Sequence, residues 1–375
     1  MPICVACHQP IHGRFLQALG GNWHSQCFIC PECRQPIGSG QFFEKKGYPF
    51  HPECYARKHA PLCHGCETPI VGTIITALGK SFHSQCFLCS ACGKPIQAGG
   101  FLPHQDKPYH TACYHQKFSP RCVVCQGPIR TASYVTNLWG ESHCEEHLHQ
   151  YRSCFSCNRL MAPAVTGGGV VLSDGRALCQ LCRQQGVENE FKGSKLLRQV
   201  RQFLHEQGMA FSEHPIPLRL TGLEEMQRLT QPKAGRPAVG VTRTQTFSRG
   251  GKVVERVLQE IVILHSLPEE HFTMVAAHEL GHAWLFMNGI DELPPMVEEG
   301  LCGLCEHLWL KQFDTPHSVF RLKGLQEEKD AVYGQGYQAA ISSLKRLSFN
   351  QLLDFIKKNR RFPISNPIAR LLGVI

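Results

Sequence analysis

The residues best placed to do chemistry lie late in the chain, in TMVAAHELGHAWLFMN. His278 and His282 are four apart, so on a helix both imidazoles fall on one face and reach one zinc ion. Glu279 projects beside them without binding the metal, and can accept a proton from a zinc-bound water. Cysteine is the second source of chemistry, with 21 in 375 residues. The chain repeats itself at an offset of 59 residues as C-x2-C-x16-H-x2-C-x2-C-x2-C-x17-H-x2-C. The first copy is Cys4, Cys7, His24, Cys27, Cys30, Cys33, His51 and Cys54. The second is Cys63, Cys66, His83, Cys86, Cys89, Cys92, His110 and Cys113. Eight ligands per copy suffice for two tetrahedral zinc ions, and x2 spacing lets both thiolates of a knuckle reach one metal.

This pattern resembles the LIM domain, over about residues 4–57 and 63–116. The resemblance implies that the first four ligands of each copy form one site and the last four the other. A third segment is a divergent relative: Cys122, Cys125, Cys144 and His147, then Cys154, Cys157, Cys179 and Cys182. His143 competes with Cys144 there; Cys144 is preferred because Cys144-x2-His147 restores the knuckle spacing. The two cysteines outside the modules, Cys302 and Cys305, have no second Cys/His pair and read as small core residues.

These motifs need elements to hold them. Beyond Cys182 the pattern becomes helical, with Phe191, Leu196, Leu197, Val200 and Leu204 on one side of a helix over 187–207. Pro215 and Pro217 mark 209–220 as loop or short edge strand. Thr221 and Glu224 carry a capping-box signature for a helix over 222–229. Strands are expected over 238–247 and 253–264 around a Gly250-Gly251 turn, with the second lining the cleft and pairing with an extended substrate. The His278 helix starts near Pro268 and stops at Gly289, and the next begins at Pro294-Pro295.

HExxH followed by a helix containing Glu-Gly resembles the glutamate zincins. That resemblance implies Glu299 as third zinc ligand; Glu298 is the weaker alternative, or anchors a zinc-binding histidine. The whole order of motifs resembles the plant LIM-domain zinc peptidases that restrict organ and seed size, the DA-one family. It spans about residues 3–365 and includes GRFLQALGGNWHSQCF, CFSC…SDGRALCQLC, AAHELGHAWLFMNG, MVEEGLCGLCEHLWL and VYGQGY…RFPI. It implies an α+β architecture: tandem zinc-stapled LIM hairpin modules at 1–60 and 61–119, a LIM-like module at 120–184, and a zincin-like metallopeptidase domain at 185–375. The implied activity is a zinc endopeptidase acting on selected protein substrates. It uses one catalytic and six structural zinc ions, with Tyr333, then His307, as candidate oxyanion donors. The alternative is a non-catalytic LIM adaptor with a degenerate zincin domain. The plant proteins carry ubiquitin-interacting helices ahead of the LIM region; none is expected in this chain, which resembles a compact bacterial homologue. Protein partners, including ubiquitin-pathway ones, are expected through the LIM modules.

Net charge excludes less than it suggests. Lys+Arg 39 against Asp+Glu 30 gives +9, but nineteen thiolates and seven zinc ions bring it to about +4. The finger spacing C-x2–4-C-x12-H-x3–5-H is missing, so no nucleic-acid partner is expected. No basic stretch precedes an apolar run, and no stretch of 18 apolar residues occurs, so neither secretion nor a membrane span is expected. A reducing, cytoplasmic setting follows, where clustered cysteines bind metal rather than pair.

Overall fold

The computed structural model describes residues 1–97, 100–131, 134–212, 214–230, 237–290 and 292–363. The end of the 185–375 span, including Ile364 of the RFPI motif, lies outside these. The chain divides into two compact units, Met1–Pro120 and Arg121–Ile375.

In the first unit each LIM copy is two hairpins and a short helix. The first holds β1 (Leu16–Ala18), β2 (Gly21–Trp23), β3 (Phe43–Lys45), β4 (Tyr48–Phe50) and α1 (Pro52–His59). The second holds β5 (Ile75–Ala77), β6 (Lys80–Phe82), β7 (Phe101–His104), β8 (Lys107–His110) and α2 (Thr111–Phe118). Strands of three or four residues cannot bury much, and the cores are correspondingly small: Phe28, Ile37 and Phe50 in one copy, Ile70, Phe82, Phe87 and Tyr109 in the other. Bound metal must therefore supply much of the folding energy, about 10–16 kcal/mol apparent per structural zinc.

A local rule links these copies to the third module. In six knuckles the residue after the second cysteine has positive φ: His8, Arg34, Glu67, Gly93, Gln126 and Asn158. Each donates its N–H to the carbonyl of the first cysteine. The left-handed turn folds the loop so that both sulfurs point the same way, although only one of the six is glycine.

The second unit begins with that module: β9 (Val135–Thr136), β10 (Ser142–His143), α3 (Glu145–Gln150), α4 (Pro163–Thr166), β11 (Gly169–Val171), β12 (Ala177–Cys179) and α5 (Gln180–Gln184). There follow α6 (Glu190–Glu206), β13 (Leu218–Thr221), α7 (Leu223–Thr230), β14 (Gly240–Arg249), β15 (Lys252–Leu264), α8 (Glu269–Met287) and α9 (Pro295–Leu310). The unit closes with α10 (Pro316–Glu327), α11 (Tyr333–Ser343) and α12 (Phe349–Asn359). The sheet order is β13-β15-β14, parallel on one side of β15 and antiparallel on the other. That central place explains why Ile261, Val262, Ile263 and Leu264 are all fully buried. Gly250 (φ 59°) and Gly251 (φ 76°) close the β14–β15 hairpin with two left-handed residues.

Two local expectations change. Leu197, Val200 and Leu204 of α6 are buried as expected, with Leu196 packed beside them and Gly193 added, but Phe191 is 82% exposed. Thr221 ends β13 rather than capping α7, and its hydroxyl donates to Glu225. The Leu223 N–H donates to Asp174 of the third module.

That contact is one of several fixing the third module to the helices. Arg176 pairs with Asp174 at 2.8 Å and donates to the His265 carbonyl at 2.9 Å. Arg321 donates to Ser156 Oγ, itself 2.9 Å from His271 Nδ1 on α8. Trp139 stacks on Phe320 of α10, with ring centroids 4.6 Å apart, and donates to the Cys157 carbonyl.

Candidate metal centres and cleft

Among the described residues, several groups of Cys, His or carboxylate donors have all their ligand atoms within 4.8 Å of one another, five of them sets of four in the zinc modules. Those five are Cys4/Cys7/His24/Cys27, Cys30/Cys33/His51/Cys54, Cys63/Cys66/His83/Cys86, Cys89/Cys92/His110/Cys113 and Cys122/Cys125/Cys144/His147. Cys144, not His143, joins the last. Each histidine presents Nδ1 to a sulfur, as His24 to Cys7 (3.4 Å) and His147 to Cys122 (3.2 Å). His83 and His110 turn Nε2 to the carbonyls of Pro69 and Pro95, an outer contact that fixes the ring. Burial raises the pKa of the first thiol of each knuckle, but several backbone N–H groups outweigh it. Cys4, Cys30, Cys63, Cys89 and Cys122 fall to about 6, so they ionise readily for a metal. The set Cys154, Cys157, Cys179 and Cys182 is fully buried. Cys157 and Cys179 sulfurs are 3.8 Å apart, and the N–H of Cys179 points at the Cys154 sulfur.

The other centre is built by α8 and α9, packed antiparallel. Gly281, inside HELGH, permits this: a Cβ there would sit 2.9 Å from Cys302 Sγ and 3.1 Å from its Cα. Cys302 is thus the small core residue between the helices, and Cys305, equally buried, contacts the Met209 sulfur. The crossing faces His278 and His282 with three carboxylates of α9. Glu306 lies 2.5 Å from His278 Nδ1 and Glu298 2.9 Å from His282 Nδ1. A carboxylate accepts, so each Nδ1 carries its proton and each Nε2 keeps a lone pair. The two Nε2 atoms are 3.2 Å apart, and Glu299 Oε2 is 3.2 and 3.7 Å from them. Zinc bonds of 2.0–2.2 Å in tetrahedral array set donors about 3.3–3.6 Å apart. Three convergent lone pairs repel one another unless a cation or a proton sits between them, so these residues fit a metal ion. Without one, burial disfavours charge on His278, but Glu299 and Glu306 overcome it and hold its pKa well above the usual value.

Glu279 is buried beside this set. Thr242 Oγ1 of β14 lies 2.8 Å from both its Oε2 and its carbonyl oxygen. Gly240 lets the strand come so close: a Cβ there would meet Val275 at 2.7 Å and Glu279 Oε1 at 2.8 Å. Tyr333 opens α11, brought in because Gly300 and Gly336 touch backbone to backbone. Burial first, then the charge and hydrogen bond of Glu299, push its phenol up to about 12, so it stays a donor. His307 turns Nδ1 to Tyr337 Oη at 2.9 Å.

The centre opens on a cleft of ≈ 1760 Å³ lined by His278, Glu279, His282, Glu298, Glu299, Glu306 and Tyr333. The expected lining strand is corrected here. Residues 237–242 and Thr244 line the cleft, and none of β15 does. Alternating apolar residues marked both strands, but periodicity carries no information on sheet order; β15 is central and β14 is the edge. Glu306 was missed as a functional residue. Its signal was the seven-residue spacing from Glu299, two helical turns on one face.

Comparison with known proteins agrees with this layout. Residues 4–59 and 63–118 each match the LIM domain, so the first two modules are tandem LIM zinc-binding domains. Residues 220–322, from β13 into α10, match the DA1-like family (Protein DA1). The chain is homologous to two proteins of Arabidopsis thaliana. It is 25% identical to Protein DA1-related 1, over 80% of this chain and 66% of that one. It is 26% identical to Protein DA1, over 81% and 68%. The match thus spans about two thirds of those relatives. No helix among the described residues is long and apolar enough to cross a membrane.

Proposed function

We propose that the chain is a zinc-dependent endopeptidase cleaving selected protein substrates, with a zincin-like domain of the glutamate-zincin kind over 185–375. The carrying observation is the three lone pairs of His278, His282 and Glu299, converging beside the buried carboxylate Glu279. His278, His282 and Glu299 would hold the catalytic zinc and leave one position open. When bound, that ion supplies Lewis acidity and lowers the pKa of a water toward about 7. Glu279, oriented by Thr242, takes a proton from the attacking water and delivers it to the departing amine. Glu306 and Glu298 hold the imidazoles in the tautomer that leaves Nε2 free. Tyr333 donates to the carbonyl oxygen as charge develops on it. The free edge of β14 offers main-chain groups to an extended substrate.

The six Cys/His sets of the three modules would hold six structural zincs. LIM domains generally mediate protein–protein contacts; here they would recruit substrates or regulators, ubiquitin-pathway proteins among them, in a reducing cytoplasmic setting. The non-catalytic adaptor reading has the LIM modules in its favour, but such a protein has no use for a buried, hydrogen-bonded Glu279. Mapping new protein termini in an extract treated with this chain or with His282→Ala tests the proposal. Termini made only by the unaltered chain are expected; identical maps would remove it.

A further inference from the structure

We infer that the third zinc module supplies an apolar specificity subsite of the cleft, taking a large aliphatic or aromatic substrate side chain two or three residues from the bond cut. This rests on the peptidase reading above. Leu138 and Phe155 of the module, Met274 of α8, and Phe320 and Leu325 of α10 all line the cleft that holds His278 and Glu279. All five are only half-buried. Open apolar surface inside a cleft is what a ligand side chain covers favourably.

The position follows from helix geometry. Met274 and His271 precede His278 by four and seven residues, about 6 and 10 Å along α8 at 1.5 Å per residue. An extended peptide advances about 3.3 Å per residue. For a substrate lying along α8, the wall is met two to three residues from the metal donors.

The wall is also rigid. Phe320 lies flat on Trp139, at 13° between planes, and Arg159 sits 5.3 Å over the same indole. Trp139 Nε1 is tied at 2.7 Å to the carbonyl of Cys157, one of the module's buried cysteines.

Gly324 carries the inference furthest. It lies inside α10, where glycine is the least favourable residue after proline. It lacks the positive φ that would require glycine, and an added Cβ meets nothing closer than Leu138 Cδ1 at 3.8 Å, ordinary contact. The fold itself does not demand an absent side chain here. The space lies on the cleft wall.

The test uses the full chain and fluorogenic peptides carrying Ala, Leu or Phe at each of three positions on either side of the cleaved bond. In the unaltered chain, Leu or Phe at one position should raise kcat/KM about tenfold over Ala. Gly324→Leu, filling the space, should bring that ratio near one. Leu138→Ala should move the optimum to a larger side chain. Thermal melting checks that both variants fold. Cleavage with no preference, or with one that neither variant alters, overturns the subsite alone. No cleavage above a Glu279→Gln preparation overturns the peptidase reading, and the subsite with it.

Discussion

At the scale of residues, the outer carboxylates should count almost as much as the inner donors. Glu306→Gln replaces an acceptor-only group with one that can offer N–H to His278 Nδ1, so the ring loses its reason to keep Nε2 bare. We expect about 10- to 100-fold weaker zinc retention or activity, read by zinc competition with a chromophoric chelator. Glu298→Gln should do less, because its side chain is 41% exposed and water can replace it on His282. His278, Glu279 and His282 were legible because the two histidines are four residues apart on one helix and Glu279 directly follows the first. Cys144 over His143 was legible for the same local reason. The partners of the imidazoles were not, apart from Glu298, because they are set by where a second helix crosses the first. Thr242 was equally hidden, since its role depends on β14 lying at the sheet edge.

At the scale of elements, glycines decide which helices can meet. Gly300 and Gly336 pack so that a Cβ at 300 would lie 2.5 Å from backbone carbon of 336. Gly300→Val therefore forces α9 and α11 apart and withdraws Tyr333 from Glu299. A loss of at least about 2 kcal/mol is expected, measured by urea unfolding of the chain with its metals bound. The knuckles predict the opposite sign. Arg34 and Glu67 occupy left-handed positions at φ 59° and 60°, so Arg34→Gly or Glu67→Gly should stabilise by about 0.5–1 kcal/mol. Thermal melting of the zinc-loaded protein would show it. Between α6 and the start of α9, helix and strand positions were readable from apolar periodicity and end signals to within two or three residues, β15 and α8 especially. Sheet order was not, because a strand's own pattern does not name its neighbours, so the same periodicity that marks β15 cannot tell that β14 is the strand on the cleft. Phe191 failed for a related reason: an apolar residue near a helix start can fall outside the stripe that faces the core.

At the scale of the molecule, the useful boundary follows Pro120 rather than residue 183. Cutting at 183 removes Ser156 from His271 and Arg321, Trp139 from Phe320, and Asp174 from the start of α7. A chain of 121–375 should unfold cooperatively by circular dichroism, whereas 183–375 should show a broad transition and bind a hydrophobic dye. The repeat in the sequence revealed the zinc modules, because ligand spacing is a local property. It did not reveal that the third module packs on α8 and α10, which depends on side chains more than 100 residues apart such as Ser156 and His271. The central claim is that Glu279 moves the proton at a metal site built by His278, His282 and Glu299. It is tested most directly by metal analysis and peptide cleavage on one pair of preparations, the unaltered chain and Glu279→Gln. The account predicts equal zinc content and at least about 100-fold slower cleavage in the variant. Equal cleavage rates at equal zinc content would contradict it.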